Sequence, residues 1–212
     1  MNSQTNQMFV AQSVNGPFSI DAKAYLTSKI RKVTLNDEIT SESIESLIII
    51  CELLIQESEC DPITLYFNTP GGSVNAAYHL IDFIEGAPVK FFGVVSEICA
   101  SAGSLVFASL PEGHRFIMPH GKIMIHQPAI TPNVMINSTS IKNLSEMIGD
   151  SERMIYQDLS RWTKHTVAEI ERDCEKETWL KGQDAIDYGI ADHLFSYRAL
   201  SDAISLEEDI KF

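Results

Sequence analysis

Three short stretches of the chain carry residue types whose spacing suits chemistry. Asn68-Thr69-Pro70-Gly71-Gly72-Ser73 places two consecutive glycines between a β-prone run and a helical pattern. Glycines there permit positive φ and let backbone N–H groups approach a ligand closely, and a helix N-terminus behind them favours negative charge. An ordinary tight turn would use the same glycines, so the pair alone leaves both readings open. Cys99-Ala100-Ser101-Ala102-Gly103 sets a serine among small residues where a strand meets a helix. That has the logic of a nucleophile elbow: small neighbours allow the sharp turn, and the helix dipole steadies negative charge on a substrate oxygen. Cys99 stands where the first glycine of a GxSxG pattern would be, and a serine N-cap on a close-packed helix is the competing reading. Ile123-Met124-Ile125-His126-Gln127-Pro128 ends an apolar strand on a histidine. Alone, such a residue reads as a hydrogen-bonded core histidine. Beside Ser101 it becomes a candidate general base, because acyl transfer needs a base within reach of the hydroxyl.

The elements that must hold these residues alternate between strand and helix. Lys32 to Leu35 is a short β-prone run. Thr40 or Ser41 can cap a helix in which Ile44, Leu47, Ile48, Cys51, Leu54 and Ile55 recur at helical spacing. A buried strand is expected over Ile63 to Phe67, a helix over about Val74 to Ile84, a third strand over Val89 to Val95 and a fourth over Lys122 to His126. A small-residue helix begins near Ser101. A long amphipathic helix carries Ile141, Leu144, Ile148, Ile155, Leu159 and Trp162 on one side. Thr166 and Glu169 form a capping box for a further helix, Trp179-Leu180 reads as a last short strand, and a small helix ends at Gly189. This alternation predicts stacked βαβ units, an α/β domain around a mostly parallel sheet.

Composition narrows the possibilities. In 212 residues, 44% hydrophobic, there is material for one good-sized domain. The 29 acidic against 16 basic residues give a formal charge of −13, which argues against a nucleic-acid surface built on clustered Lys and Arg. The longest apolar run, Leu47 to Ile55, is broken by Glu52 and falls short of the roughly 20 residues that span a bilayer, so no membrane association is expected. The first sixteen residues lack the pattern of a secretory signal. Cys51, Cys60, Cys99 and Cys174 are scattered without CxxC or partnered His spacing. They are expected as reduced cytosolic thiols rather than as disulfides or a metal site. No GxxxxGK[ST] loop is present, and neither metal nor cofactor is expected.

Taken in order, these stretches resemble ClpP, the proteolytic subunit of the Clp protease. The resemblance runs from about Lys32 to Tyr197. It rests on Tyr66-Phe67-Asn68-Thr69-Pro70-Gly71-Gly72-Ser73-Val74, Ala100-Ser101-Ala102-Gly103 and Arg115-Phe116-Ile117-Met118-Pro119. Lys122-Ile123-Met124-Ile125-His126-Gln127-Pro128, Ile170-Glu171-Arg172-Asp173 and Ala185-Ile186-Asp187-Tyr188-Gly189-Ile190-Ala191-Asp192 complete it. Together, at the family's spacing, these motifs are highly specific.

The resemblance implies a crotonase/ClpP-like α/β fold with a protruding strand–helix handle. It divides the chain into an N-terminal segment (1–31), a candidate for mobility, a peptidase domain (32–197) and an acidic C-terminal tail (198–212). It implies Ser101 as nucleophile, His126 as general base, and the N–H groups of Gly72 and Ala102 as an oxyanion hole. It further implies a cytoplasmic serine endopeptidase in homo-oligomeric rings, acting on protein or peptide substrates inside a chamber. Any ATP dependence would come from a separate unfoldase of the ClpX/ClpA kind.

Three positions depart from the family's pattern. Glu177 stands where the family has its catalytic aspartate, and its extra methylene demands an adjustment of roughly 1–1.5 Å. Asp173, one helical turn earlier, is the other carboxylate in the neighbourhood. Glu97 occupies a position usually glycine. Ala129-Ile130-Thr131-Pro132-Asn133 replaces a glycine-rich strand, and Pro132 cannot donate a ladder hydrogen bond. These departures keep a second reading open, a catalytically weak or inactive subunit that shapes a mixed assembly. A crotonase-type acyl-CoA enzyme ranks third, since it has no need of a Ser/His pair at this spacing.

Overall fold

The computed structural model describes residues 8–13, 16–129 and 137–209. The N-terminal segment forms an antiparallel hairpin, β1 (Met8–Ser13) and β2 (Gly16–Asp21), followed by helix α1 (Ala22–Ile30), which the Asp21 side chain caps at the Ala24 N–H. Hydrophobic patterning does not announce α1, because no residue of it is buried.

The domain proper alternates as expected. β3 (Lys32–Leu35) leads to α2 (Ser41–Glu57), where a Thr40/Ser43 capping box satisfies the first N–H groups. β4 (Ile63–Thr69), α3 (Val74–Gly86), β5 (Phe91–Ala100) and α4 (Ala102–Ser109) follow. Next come β6 (Arg115–Ile117), β7 (Lys122–Ile125), α5 (Ser138–Trp162) and α6 (Val167–Cys174), then β8 (Thr178–Lys181), α7 (Gly182–Tyr188), β9 (His193–Leu194) and α8 (Tyr197–Asp209).

Strands β3-β4-β5-β6-β9 form a parallel path, so the expected mostly parallel sheet is present. β5 is longer than the expected strand because it serves two partners. Its first half pairs with β6 through Gly93–Val95; its end pairs with β7 through Ile98–Ala100. Between them the register with β4 shifts, a bulge that turns β5 and aims Ala100 and Ser101 at the end of β7. β8 closes this corner antiparallel to β7.

Alternate β4 and β5 side chains enter two cores. Leu65, Phe67 and Val95 face α2, α3 and α4 in the main core, where the Phe67 and Phe107 rings meet edge-to-face at 5.5 Å. Tyr66, Phe92, Val94 and Phe116 form a second cluster, packed against Leu200, Ala203 and Ile204 of α8. The expected acidic tail is therefore helical to Asp209. Its apolar residues at helical spacing dock on the sheet, an attraction that its charge conceals.

In α5, buried residues begin only at Ile155; Ile141 and Met147, nearer its N-terminus, are exposed. At about 1.5 Å per residue its 25 residues make a rod of roughly 37 Å, long enough to serve as a handle. The strand expected with it, around Pro132, lies outside the described residues. The C-terminal end of α5 is tied to the body where Arg115 donates to the Trp162 carbonyl at 2.6 Å. Arg115 also forms a buried ion pair with Asp192 at 2.6 Å.

Candidate active site

Ser101 sits at the junction of β5 and α4 with φ 54° and ψ −126°. An L-residue holds that conformation only when its surroundings impose it. Here the backbone is fixed on both sides: the Ser101 N–H donates to the Met124 carbonyl at 2.9 Å, and the Ser101 carbonyl accepts from the Ser104 N–H and hydroxyl at 2.9 and 2.6 Å. The turn needs Gly71 beneath it. A Cβ at Gly71 would lie 2.5 Å from the Ala100 carbonyl and 2.7 Å from the Ser101 Cβ. Ser101 does not cap α4 with its side chain. Its hydroxyl instead lies 2.8 Å from His126 Nε2.

His126 is the first residue beyond β7, half-buried at the sheet rim. Its backbone is steadied one residue on, where the Gln127 N–H donates to the Cys174 carbonyl at 2.9 Å. The strand thereby aims the imidazole across the end of β5.

The Gly71-Gly72 turn is strapped to Ile39. The Ile39 N–H donates to the Gly71 carbonyl at 2.8 Å, and the Ser73 N–H donates to the Ile39 carbonyl at 2.7 Å. A Cβ on Gly72, whose φ is 146°, would come within 2.3 Å of that carbonyl, so only glycine fits. Neither strap bond uses the Gly72 N–H. Ala102 is the first residue of α4, where the helix leaves its N–H groups without intrahelical partners. Among the described residues, neither the Gly72 nor the Ala102 N–H donates to a backbone carbonyl outside the helices and strands.

The carboxylates are arranged less directly. β7 and β8 pair Ile125 with Thr178, and one more step in that register sets His126 opposite Glu177, on one face. The exposed Glu177 carboxylate instead accepts from the Trp179 indole N–H at 3.2 Å. Asp173 is held by the Tyr188 hydroxyl at 3.1 Å and by Arg172 at 3.2 Å. Among the described residues, His126 Nδ1 has no hydrogen-bond partner. Glu97 accepts from the Asn68 side chain at 3.2 Å, on the exposed side of the β5 bulge.

Beside Ser101 and His126 opens a narrow apolar cleft of about 20 Å3, walled by Val74, Leu105, Ile125, Pro128, Ile155 and Leu159. Sequence reading missed the Ile39 strap, which leaves no local signal, and Ser104, whose spacing of three from Ser101 could have suggested it. Burial pushes the Cys99 thiol well above its usual range, which keeps this neighbour of the nucleophile protonated. Among the described residues, no cluster of three or more His, Cys, Asp or Glu side chains could hold a metal, and no helix is long and apolar enough to cross a membrane.

With the geometry in place, comparison with known proteins is specific. A family model described as Clp protease matches residues 18–198. The chain is 30% identical over 166 residues to the ATP-dependent Clp protease proteolytic subunit 2 of Corynebacterium glutamicum, covering 78% of this chain and 82% of the relative. It is 31% identical to the subunit 2 of Cutibacterium acnes over 78% of this chain and 77% of that one. Against the subunit 2 of Corynebacterium diphtheriae the identity is 28%, across 90% of this chain and 94% of the relative.

Proposed function

The chain belongs to the Clp protease family, and from that premise we propose that it is a serine endopeptidase hydrolysing peptide bonds of protein substrates. The observation that carries the reading is the 2.8 Å contact between Ser101 Oγ and His126 Nε2, held by a strained backbone beside the Gly72 and Ala102 N–H groups.

His126 accepts the Ser101 proton at Nε2 as Oγ attacks the substrate carbonyl. The Gly72 and Ala102 N–H groups hold the tetrahedral oxyanion, and removing one such donor typically costs on the order of 100- to 1,000-fold in rate. His126 returns its proton to the leaving amine, then activates the water that hydrolyses the acyl-enzyme. A carboxylate on Nδ1 fixes the tautomer and stabilises the imidazolium. We assign that role to Glu177, which lies opposite His126 in the β7–β8 register and would reach Nδ1 by leaving the Trp179 indole N–H.

The family's ring chamber, a separate ATPase of the ClpX/ClpA kind and a cytoplasmic location belong to the same reading. A second reading, a catalytically weak subunit within a mixed assembly, is favoured by the unpartnered Nδ1 and by the hold of Trp179 on Glu177.

Hydrolysis of a fluorogenic peptide and of casein by the purified chain, with Ser101→Ala beside it, decides between them. Serine-dependent turnover supports the peptidase. No turnover by the assembled protein, alone or with a ClpX-type ATPase, supports the structural subunit.

A further inference from the structure

Within the body of the protein lies a buried polar contact that the proposed reaction does not use. Tyr78, on α3, donates its hydroxyl to Asp158 Oδ2, on α5, at 2.6 Å. Asp158 is buried, and its other oxygen pairs with the largely exposed Arg161. Burial and the neighbouring carboxylate push the Tyr78 hydroxyl far above its usual range, which keeps it a donor at any ordinary pH.

The position of this contact gives it meaning. Val74, one helical turn before Tyr78, lines the cleft beside Ser101. Ile155 and Leu159, which flank Asp158, line it from the other side. The hydrogen bond therefore joins α3 to α5 immediately behind the wall those three residues make. N-terminal to Ile155 α5 carries no buried residue, and its last turn is tied to the body at the Trp162 carbonyl. The contact lies within the first buried turn of α5 in chain order, beside Ile155 and Tyr156.

We infer that Tyr78 and Asp158 form a latch that positions the Ile155/Leu159 wall and so sets which apolar side chain of a substrate the cleft accepts. Tyr78 and Asp158 are positioning residues: neither lines the cleft, and both act through α5. With the latch closed, the wall stands close to Val74 and the cleft favours compact apolar side chains. With it open, α5 yields and longer side chains enter. This rests on Ser101 being the reactive serine, so the test has one readout that does not.

Tyr78→Phe removes one hydroxyl and keeps the ring. Hydrogen exchange is followed at residues 155–163, with β4 amides as the control for intact folding. Tyr78→Phe is expected to raise exchange at 155–163 roughly tenfold, the scale of one buried hydrogen bond to a charged acceptor, and to leave β4 unchanged. Labelling of Ser101 by a short and a long alkyl fluorophosphonate gives the second readout. The long-to-short ratio is expected to rise about three- to tenfold, with the short probe's rate unchanged. Asp158→Asn retains an acceptor oxygen without its charge and is expected to fall between the parent and Tyr78→Phe in both. Should Tyr78→Phe fail to fold, Asp158→Ala removes the same contact from the other side.

Unchanged exchange at 155–163 would overturn the latch, as would faster exchange with an unchanged probe ratio. A parent chain that neither probe labels would refute the peptidase reading instead, and the exchange comparison would still decide whether the latch exists.

Discussion

Gly71→Ala is the perturbation whose consequence follows most directly from the geometry. At φ 95° an alanine carries a backbone cost of about 1–2 kcal/mol. Its Cβ would sit 2.5 Å from the Ala100 carbonyl, so that carbonyl must retreat by about 0.9 Å to reach the 3.4 Å where ordinary contact begins. The atoms pressed are backbone and the Ser101 Cβ, which have no rotamer to escape into. Ser101 is therefore carried out of line with His126, and a misplacement of about 1 Å costs on the order of 100-fold in rate. The fold should persist, because the main core does not pass through this turn. The assay is the second-order rate of fluorophosphonate labelling by intact mass, with a urea unfolding curve for each variant. Gly86→Ala is the control, since nothing lies within 4 Å of a Cβ there. The expected result is a loss of about 100-fold for Gly71→Ala and parental reactivity for Gly86→Ala. Parental reactivity in a folded Gly71→Ala variant would refute the argument that this glycine positions the nucleophile.

Other outcomes follow from named contacts. Trp179→Phe releases Glu177 from the indole; breaking an exposed hydrogen bond worth under about 1 kcal/mol should raise the Ser101 labelling rate two- to fivefold, and Glu177→Ala should abolish that gain. Asp192→Ala leaves the buried Arg115 guanidinium uncompensated and strips acceptors from the Gly113 and Arg115 N–H groups, so a loss of about 3–5 kcal/mol is expected from urea midpoints. Hydrogen bonds from the Thr166 N–H and hydroxyl hold the Glu169 carboxyl below the usual carboxylate range. Its support of α6 is therefore present near neutral pH and lost as pH falls through that depressed value. The melting temperature of Glu169→Gln should lie below the parent's at pH 7, and the difference should vanish in acid.

Much of this arrangement is written in local chemistry. The Thr40 and Thr166 caps, the periodic apolar face of α2 and the glycine ending α7 each stabilise their own element, so each is legible before the fold is known. The proximity of Ser101 and His126 is different: it depends on the bulge in β5 and its second partner β7, a tertiary fact that resemblance supplied and strand patterning did not. β6 is three residues long and entirely buried, too short for a period to register. α8 hid behind its acidic residues, although Leu200, Ala203 and Ile204 stand at helical spacing. Glu177 was located by position, but its engagement with Trp179 depends on a side chain two residues away along β8. A rotamer choice of that kind leaves no trace in spacing.

The account turns on whether Ser101 is an activated nucleophile. Intact-mass analysis after incubation with a fluorophosphonate, with Ser101→Ala beside the parent, measures that directly. A single adduct on the parent and none on the variant is the predicted result. An assembled, folded parent that takes no adduct, with or without a ClpX-type ATPase, would contradict it.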